Sequence, residues 1–175
     1  LLYYGRKVRP QWQKIAKKVR PRWQFERKIK MDFTFKKMDI QDLEEIKDVL
    51  LSDFDDFWSY EVLREELLSD SSLYIVAKKQ NEIIGFAGIK IIIDEADIMN
   101  IVVKKSYRNN GIGSLLLENL ILISNKKNLN FINLEVDCKN TIAINLYKKF
   151  GFEEISLRKN YYKNNDAMIM KKKLP

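Results

Sequence analysis

Histidine is absent from the 175-residue sequence, and cysteine occurs once, at Cys138. The first absence removes Ser-His-Asp and Cys-His catalysis together with imidazole-ligated metal sites. The second leaves no internal disulfide and no thiolate zinc site. A lone cysteine also fits a reducing compartment, so a cytoplasmic location is expected. No apolar run approaches the roughly 20 residues of a membrane span. The longest candidates, Ile83–Ile93 and Leu115–Ile123, are broken by Lys90 and by Glu118 and Asn119. The opening residues hold no continuous apolar stretch, so no secretory signal is visible. Chemistry must therefore come from carboxylates, tyrosine hydroxyls, backbone dipoles or a cofactor, with no metal and no membrane contact expected.

Charge is distributed unevenly. The formal net charge is +8, but residues 1–30 hold 11 Lys/Arg against one Glu, and residues 31–175 hold 21 Lys/Arg against 23 Asp/Glu. The basic character thus sits in the first thirty residues, which contain a near-repeat, Lys7–Gln13 and Lys18–Gln24, each with Val-Arg-Pro and a tryptophan. Dense like charge with two prolines opposes a packed core. One reading is a flexible arm making weak RNA contact, with Trp12 and Trp23 stacking on bases. The other is that residues 1–30 do not belong to the native protein, because Met31 opens a sequence that reads as a natural start. Residues 31–175 are read as one domain.

From Met31 onward apolar periodicity is regular. Asp32–Lys37 alternates as a strand, and a helix from Asp39 or Gln41 carries Leu43, Ile46, Val49 and Leu50. A second helix follows Trp58-Ser59 with Val62, Leu63, Leu67 and Leu68. Leu73–Lys78 and Ile83–Ile93 are strands joined by a hairpin at Lys79–Glu82, and Ala96–Val103 is a third strand before a helix over 113–126. Next come a strand Phe131–Asp137, a helix Thr141–Phe150 closed by Gly151, and strands Glu153–Lys159 and Asp166–Lys171. This order predicts an α/β (α+β) domain with a mixed sheet of about six to seven strands and helices on both faces.

The strand-to-helix turn is the most informative stretch. Gly111 and Gly113 permit a tight bend and a close backbone approach, and the helix start offers unpaired N–H groups and a positive dipole end. Such a turn suits a phosphate or pyrophosphate. A dinucleotide fingerprint would need a third glycine where Leu116 stands, and a P-loop would need a lysine that the turn lacks. Arg108-x-x-Gly111-x-Gly113 instead resembles the Gln/Arg-x-x-Gly-x-Gly/Ala pattern of the GNAT acetyltransferases, which seats the pyrophosphate of coenzyme A. Glycines serving only turn geometry are the competing reading.

Three further residues carry candidate chemistry. Phe131, Asn133 and Glu135 share one strand face, and Glu135 is either a general base acting directly or through water, or an exposed strand residue. Asn140 and Tyr147 lie two helical turns apart. Asn140 can cap the helix or bind a ligand. Tyr147 can protonate a leaving thiolate, since phenol and thiol pKa values are close, or be a half-buried core residue. Cys138 has no accompanying base and reads as a bystander.

The segment Leu134-Glu-Val-Asp-Cys-Lys-Asn-Thr-Ile-Ala-Ile-Asn-Leu-Tyr-Lys-Lys-Phe-Gly-Phe152 closely resembles that of RimI-type GNAT enzymes. Trp58-Ser59, Asp94-Glu-Ala96, Asn100–Val103, Arg158-Lys-Asn-Tyr-Tyr162 and Asp166–Met170 match as well, so the resemblance spans residues 32–172. It implies a GNAT fold and transfer of acetyl from acetyl-CoA to the N-terminal alanine of a small-subunit ribosomal protein. It also implies Glu135 as general base and Tyr147 as general acid. The coenzyme would be held by Ile101, Val102 and Val103 along the pantetheine arm, by Arg108, Asn109, Asn110, Gly111, Ile112, Gly113 and Ser114 at the pyrophosphate, and by Asn140. The family often has Arg where this chain has Asp137, and the turn between Tyr162 and Asp166 is short. The basic arm is outside the family pattern. Acidic residues at Asp53, Asp55, Asp56, Glu61, Asp94, Glu95 and Asp97 either steer a basic peptide acceptor or are solvated surface. The alternatives are acetylation of lysine or a small amine, and a ribosome- or RNA-binding module acting through the arm.

Overall fold

The computed structural model describes residues 33–54, 58–162 and 165–175; the basic arm, Asp32, Asp55, Asp56 and the Lys163-Asn164 turn lie outside the described residues. Seven strands form one sheet: β1 (Phe33–Lys37), β2 (Ser72–Lys79), β3 (Glu82–Ile92), β4 (Glu95–Val103), β5 (Phe131–Asp137), β6 (Glu153–Tyr162) and β7 (Asn165–Lys173). Among the described residues four α-helices intervene: α1 (Ile40–Ile46), α2 (Tyr60–Leu68), α3 (Ile112–Lys126) and α4 (Thr141–Lys149). The sheet order is β1-β2-β3-β4-β5-β7-β6. Every neighbouring pair is antiparallel except β4 and β5. The element order matches the expectation from periodicity. Among the described residues, no helix is long and apolar enough to cross a membrane.

Alternation along the strands divides the core between two faces. Tyr74 and Val76 of β2 join Leu43, Ile46 and Leu63 of α1 and α2. Ile75 and Ala77 join Leu116, Leu117 and Leu120 of α3 and Ile144 of α4. Central strands covered on both faces become near-continuous apolar runs, which is why Ile83–Ile89 is buried throughout. Gly88 is required here: a Cβ on it would lie 2.2 Å from Cε1 of the buried Tyr74 ring.

Local signals set the helix ends. Asp39 accepts from the Asp42 N–H while Asp42 accepts from the Asp39 N–H, a reciprocal cap on α1. Ser59 caps α2, Asn140 caps α4, and Gly151 with φ 81° follows the end of α4. One expectation is corrected: the first helix does not continue through Leu50. It passes into a 3-10 turn, Lys47–Val49, and a π turn, Leu50–Phe54. Phe54 there packs against Phe86, with ring centroids 5.8 Å apart. Two cations take the carbonyls that the wider turn releases: Lys105 Nζ donates to Ser52 O at 2.6 Å and Arg108 Nη2 to Phe54 O at 2.8 Å.

Asp137, where the family often carries Arg, builds the entry to α4. Its Oδ1 accepts from the Lys139 N–H and its Oδ2 from Asn165 Nδ2, each at 2.8 Å.

Candidate active site

The parallel contact between β4 and β5 is short. Pairing runs only from Glu95 and Phe131 to Ile98 and Leu134, although β4 continues to Val103 and β5 to Asp137. The divergence begins at an irregularity in β4: Gly88 pairs with Asn100 and Ile89 with Ile98, so Met99 is an extra residue. A bulge bends its strand and interrupts the ladder. Before it, Ala96 and Ile98 face the α3/α4 core; after it, Ile101 and Val103 do, while Val102 faces α1 and α2. Among the described residues, the β5-facing edge of Met99–Val103 therefore has no strand pairing, and a cleft opens between the two strands.

At the end of this cleft stands the start of α3. Gly111 is its N-cap with φ 79°, and no side chain caps this helix, whereas Asp39, Ser59 and Asn140 cap the other three. Its first N–H groups are thus left to whatever lies outside, as an anion seat requires. Ile112 is buried and anchors the helix to the core. A Cβ on Gly113 would meet Val103 Cγ2 at 3.8 Å and Leu146 Cδ2 at 4.0 Å, so β4, α3 and α4 converge here. Asn109 is left-handed at φ 64°, and Asn110 Nδ2 donates to the carbonyls of Tyr107 and Arg108 at 3.1 Å. The Arg108 guanidinium is already engaged, donating through Nε to Val103 O at 3.2 Å as well as to Phe54 O. It braces the turn from outside. Asn140 likewise spends its Oδ1 on the Ala143 N–H at 3.1 Å. Ser114 lies in the first turn of α3, after Gly113.

Glu135 and Tyr147 lie on opposite faces of the sheet. Ile132, Leu134 and Val136 point into the α3/α4 core, so Glu135 points to the other side. Tyr147 packs against that α3/α4 core, its ring 5.8 Å from Phe152. Glu135 borders a pocket of about 370 Å³ whose walls include Trp58, Asp97, Met99, Asn133, Tyr161 and Ile169. Its Oε1 accepts from Arg158 Nη1 at 3.2 Å. A hydrogen bond to Glu135 pushes the Tyr161 hydroxyl above its ordinary pKa. Arg158 also lies 4.4 Å above the Tyr161 ring. Sequence alone gives neither Arg158 nor Tyr161 a role, because strand alternation does not say that β6 lies across β7 from β5 or which of its residues share the face of Glu135.

The acidic residues divide similarly. Asp97 lines the pocket and accepts from Asn133 Nδ2 at 3.1 Å. Glu95 is paired with Lys171 at 3.1 Å and Asp53 with Lys104 at 3.3 Å. Asp94 accepts from Asn130. Burial first, and then the nearby Asp166, Asp137 and Glu154 carboxylates, push the Cys138 thiol up. That is the reverse of an activated nucleophile.

The profile of the acetyltransferase (GNAT) family matches residues 41–152. A Bacillus subtilis protein with the provisional name ribosomal protein bS18-alanine N-acetyltransferase is 34% identical over 138 residues, covering 77% of this chain and 91% of that protein. The crystal structure of the ribosomal-protein-S18-alanine N-acetyltransferase from Escherichia coli superposes with a TM-score of 0.75 at 29% identity, over 81% of this chain and 93% of the other. A GNAT family acetyltransferase from Elizabethkingia anophelis, solved with acetyl-CoA bound, gives 0.65 at 25% identity over 82% and 99%.

Proposed function

The chain belongs to the GNAT acetyltransferase family, an acetyl-CoA-dependent N-acetyltransferase, and we propose that its acceptor is the N-terminal α-amine of a protein. The acceptor favoured is the N-terminal alanine of a small-subunit ribosomal protein, as the names of its relatives suggest. The observation that carries the reading is the split between β4 and β5, with a carboxylate on one face and a tyrosine on the other.

The residues present fit acetyl-CoA. An uncapped helix start opened by Gly111 suits its pyrophosphate, and the unpaired edge of Ile101, Val102 and Val103 suits the amides of its pantetheine arm. Asn109, Asn110 and Ser114 shape that seat through the backbone, with Arg108 bracing it. Asn140 keeps its Nδ2 and the second lone pair of its Oδ1 for a contact. The bound thioester supplies an activated acetyl group. Glu135 accepts the amine's proton, directly or through a water in the pocket. Backbone N–H groups along the open edge of β4 steady the carbonyl oxygen. Tyr147 delivers a proton to the departing sulfur from the opposite face. An α-amine, with a pKa of about 7.7–8.0, is partly neutral at cellular pH, whereas a lysine near 10.4 is not, so a single carboxylate base suits the former.

The test mixes the protein with acetyl-CoA and a basic peptide beginning with alanine, and follows thiol release. A matched peptide with a blocked N-terminus and free lysines runs beside it. Turnover restricted to the free N-terminus, lost in Glu135→Gln and reduced in Tyr147→Phe, supports the reading. Equal turnover of both peptides moves the assignment to lysine acetylation.

A further inference from the structure

The contact between Arg158 and Glu135 raises a chemical problem. A carboxylate alone in a pocket binds an ammonium ion well, yet the protonated amine has no lone pair and cannot attack a thioester. A base that attracts its substrate in the wrong protonation state would slow the reaction. The charge beside Glu135 bears on that problem.

Arg158 Nη1 is 3.2 Å from Glu135 Oε1, and the guanidinium lies 4.4 Å above the Tyr161 ring centroid. One face is thus stacked and one nitrogen is directed at the carboxylate. The side chain is 56% exposed, so it is solvated without losing this position. A guanidinium stays charged at any pH an enzyme meets, and so never competes as an acid or a base. The other groups around the pocket are Asp97 from β4, Asn133 from β5, Tyr161 from β6 and Ile169 from β7, with Trp58, Ile98, Met99 and Leu134 completing the wall. Among the described residues lining this pocket or ion-paired to them, Arg158 is the one cation; the other two charged groups, Glu135 and Asp97, are anions.

We infer that Arg158 is a resident counter-charge that keeps the acceptor's α-nitrogen neutral, and hence reactive, at Glu135. This rests on Glu135 being the base. The guanidinium meets part of the carboxylate's demand for a cation, so an arriving ammonium gains less by keeping its proton. A neutral amine loses nothing. Arg158 is a positioning residue here: it acts through Glu135 and the local field, without taking part in a bond that forms or breaks.

The experiment compares two ligands on the full chain loaded with coenzyme A. One is an alanine-first peptide with a trimethylated α-nitrogen, a permanent cation; the other is the N-acetylated peptide, which is neutral. Calorimetry gives the affinity ratio of cation to neutral ligand, and the pH profile of kcat with the free peptide gives the acidic limb. By Coulomb's law at an effective dielectric constant between that of a protein surface and water, the ratio should rise roughly fivefold in Arg158→Gln. The acidic limb of kcat should move to higher pH in the same variant. Arg158→Lys, which keeps the charge and loses the planar fork, should stay near the native ratio. An unchanged ratio in Arg158→Gln overturns the inference, as does an equal rise in Arg158→Lys, which would mark the side chain as a mere anchor. Undiminished turnover in Glu135→Gln would instead remove the base assignment, so the two failures are separable.

Discussion

The two glycines at the start of α3 should respond to the same substitution with opposite signs. Gly111 has φ 79°, and nothing lies within 4 Å of the position a Cβ would take. Gly111→Ala therefore creates no clash; its cost is the left-handed backbone, about 1–2 kcal/mol for an L-residue. Gly113 is already inside the helix, and its added methyl would sit 3.8 Å from Val103 Cγ2 and 4.0 Å from Leu146 Cδ2, ordinary contact distances. Alanine there replaces the poorer helix former, a gain of about 0.5–1 kcal/mol near a helix end. In a chain of this size 1 kcal/mol moves the midpoint by about 2–4 °C. Thermal unfolding should thus place Gly111→Ala about 2–8 °C below the native protein and Gly113→Ala about 1–4 °C above it. Coenzyme A affinity, measured by calorimetry on the same samples, should fall further in Gly111→Ala. Equal destabilisation of the two variants would refute the reasoning, because it would mean that the glycines serve close packing rather than backbone conformation.

Gly88→Ala places a methyl against the buried Tyr74 ring, 2.2 Å from Cε1, and should cost about 1–3 kcal/mol or more in urea unfolding as an overpacked site. Asn140→Ala removes the cap on α4 and should cost about 1 kcal/mol; an unchanged midpoint would show that α4 starts without it. Glu135→Gln should lower kcat by about 10²–10⁴-fold, the usual contribution of a positioned base, with acetyl-CoA binding retained. Lys104 and Tyr107 donate to Glu82 and hold its carboxyl below the ordinary value of 4.5. Because the folded pKa is depressed, this group's stabilisation is fully present above 4.5 and lost as pH falls through the lower folded value. The stability gap between native protein and Glu82→Gln should therefore shrink on acidification below pH 4.5, and a gap constant down to pH 3 would contradict the assignment.

The order of elements was legible because apolar spacing changes between two and about 3.6 where a strand meets a helix, and because Gly151 stops α4. The turn into α3 was legible for a similar reason: Gly111, with φ 79°, marks a bend that few other residues adopt. Other features depend on contacts distant in sequence. The end of α1 at Ile46 reflects Phe54 seeking Phe86, and the engagement of Arg108 reflects the carbonyl that this turn exposes. The pairing of Arg158 with Glu135 depends on the place of β6 outside β7 and on two register shifts between them. No spacing rule within a single strand encodes such shifts. Asn140 showed the limit differently: both of its readings fitted the sequence, and the Ala143 N–H identifies the use of its oxygen.

Met99 carries a consequence that concerns length rather than identity. Across it, the face that each β4 residue presents switches from even positions to odd ones, so Ile101 and Val103 keep company with α3 although Ala96 and Ile98 do too. Removing one residue at this point would restore plain alternation, with Ile101 and Val103 still in the α3 layer but no bulge left to bend the strand. It would also let β4 run on alongside β5 and close the gap. The opening between β4 and β5 is in this sense arithmetic: many side chains could stand at position 99, but the position itself has to be there.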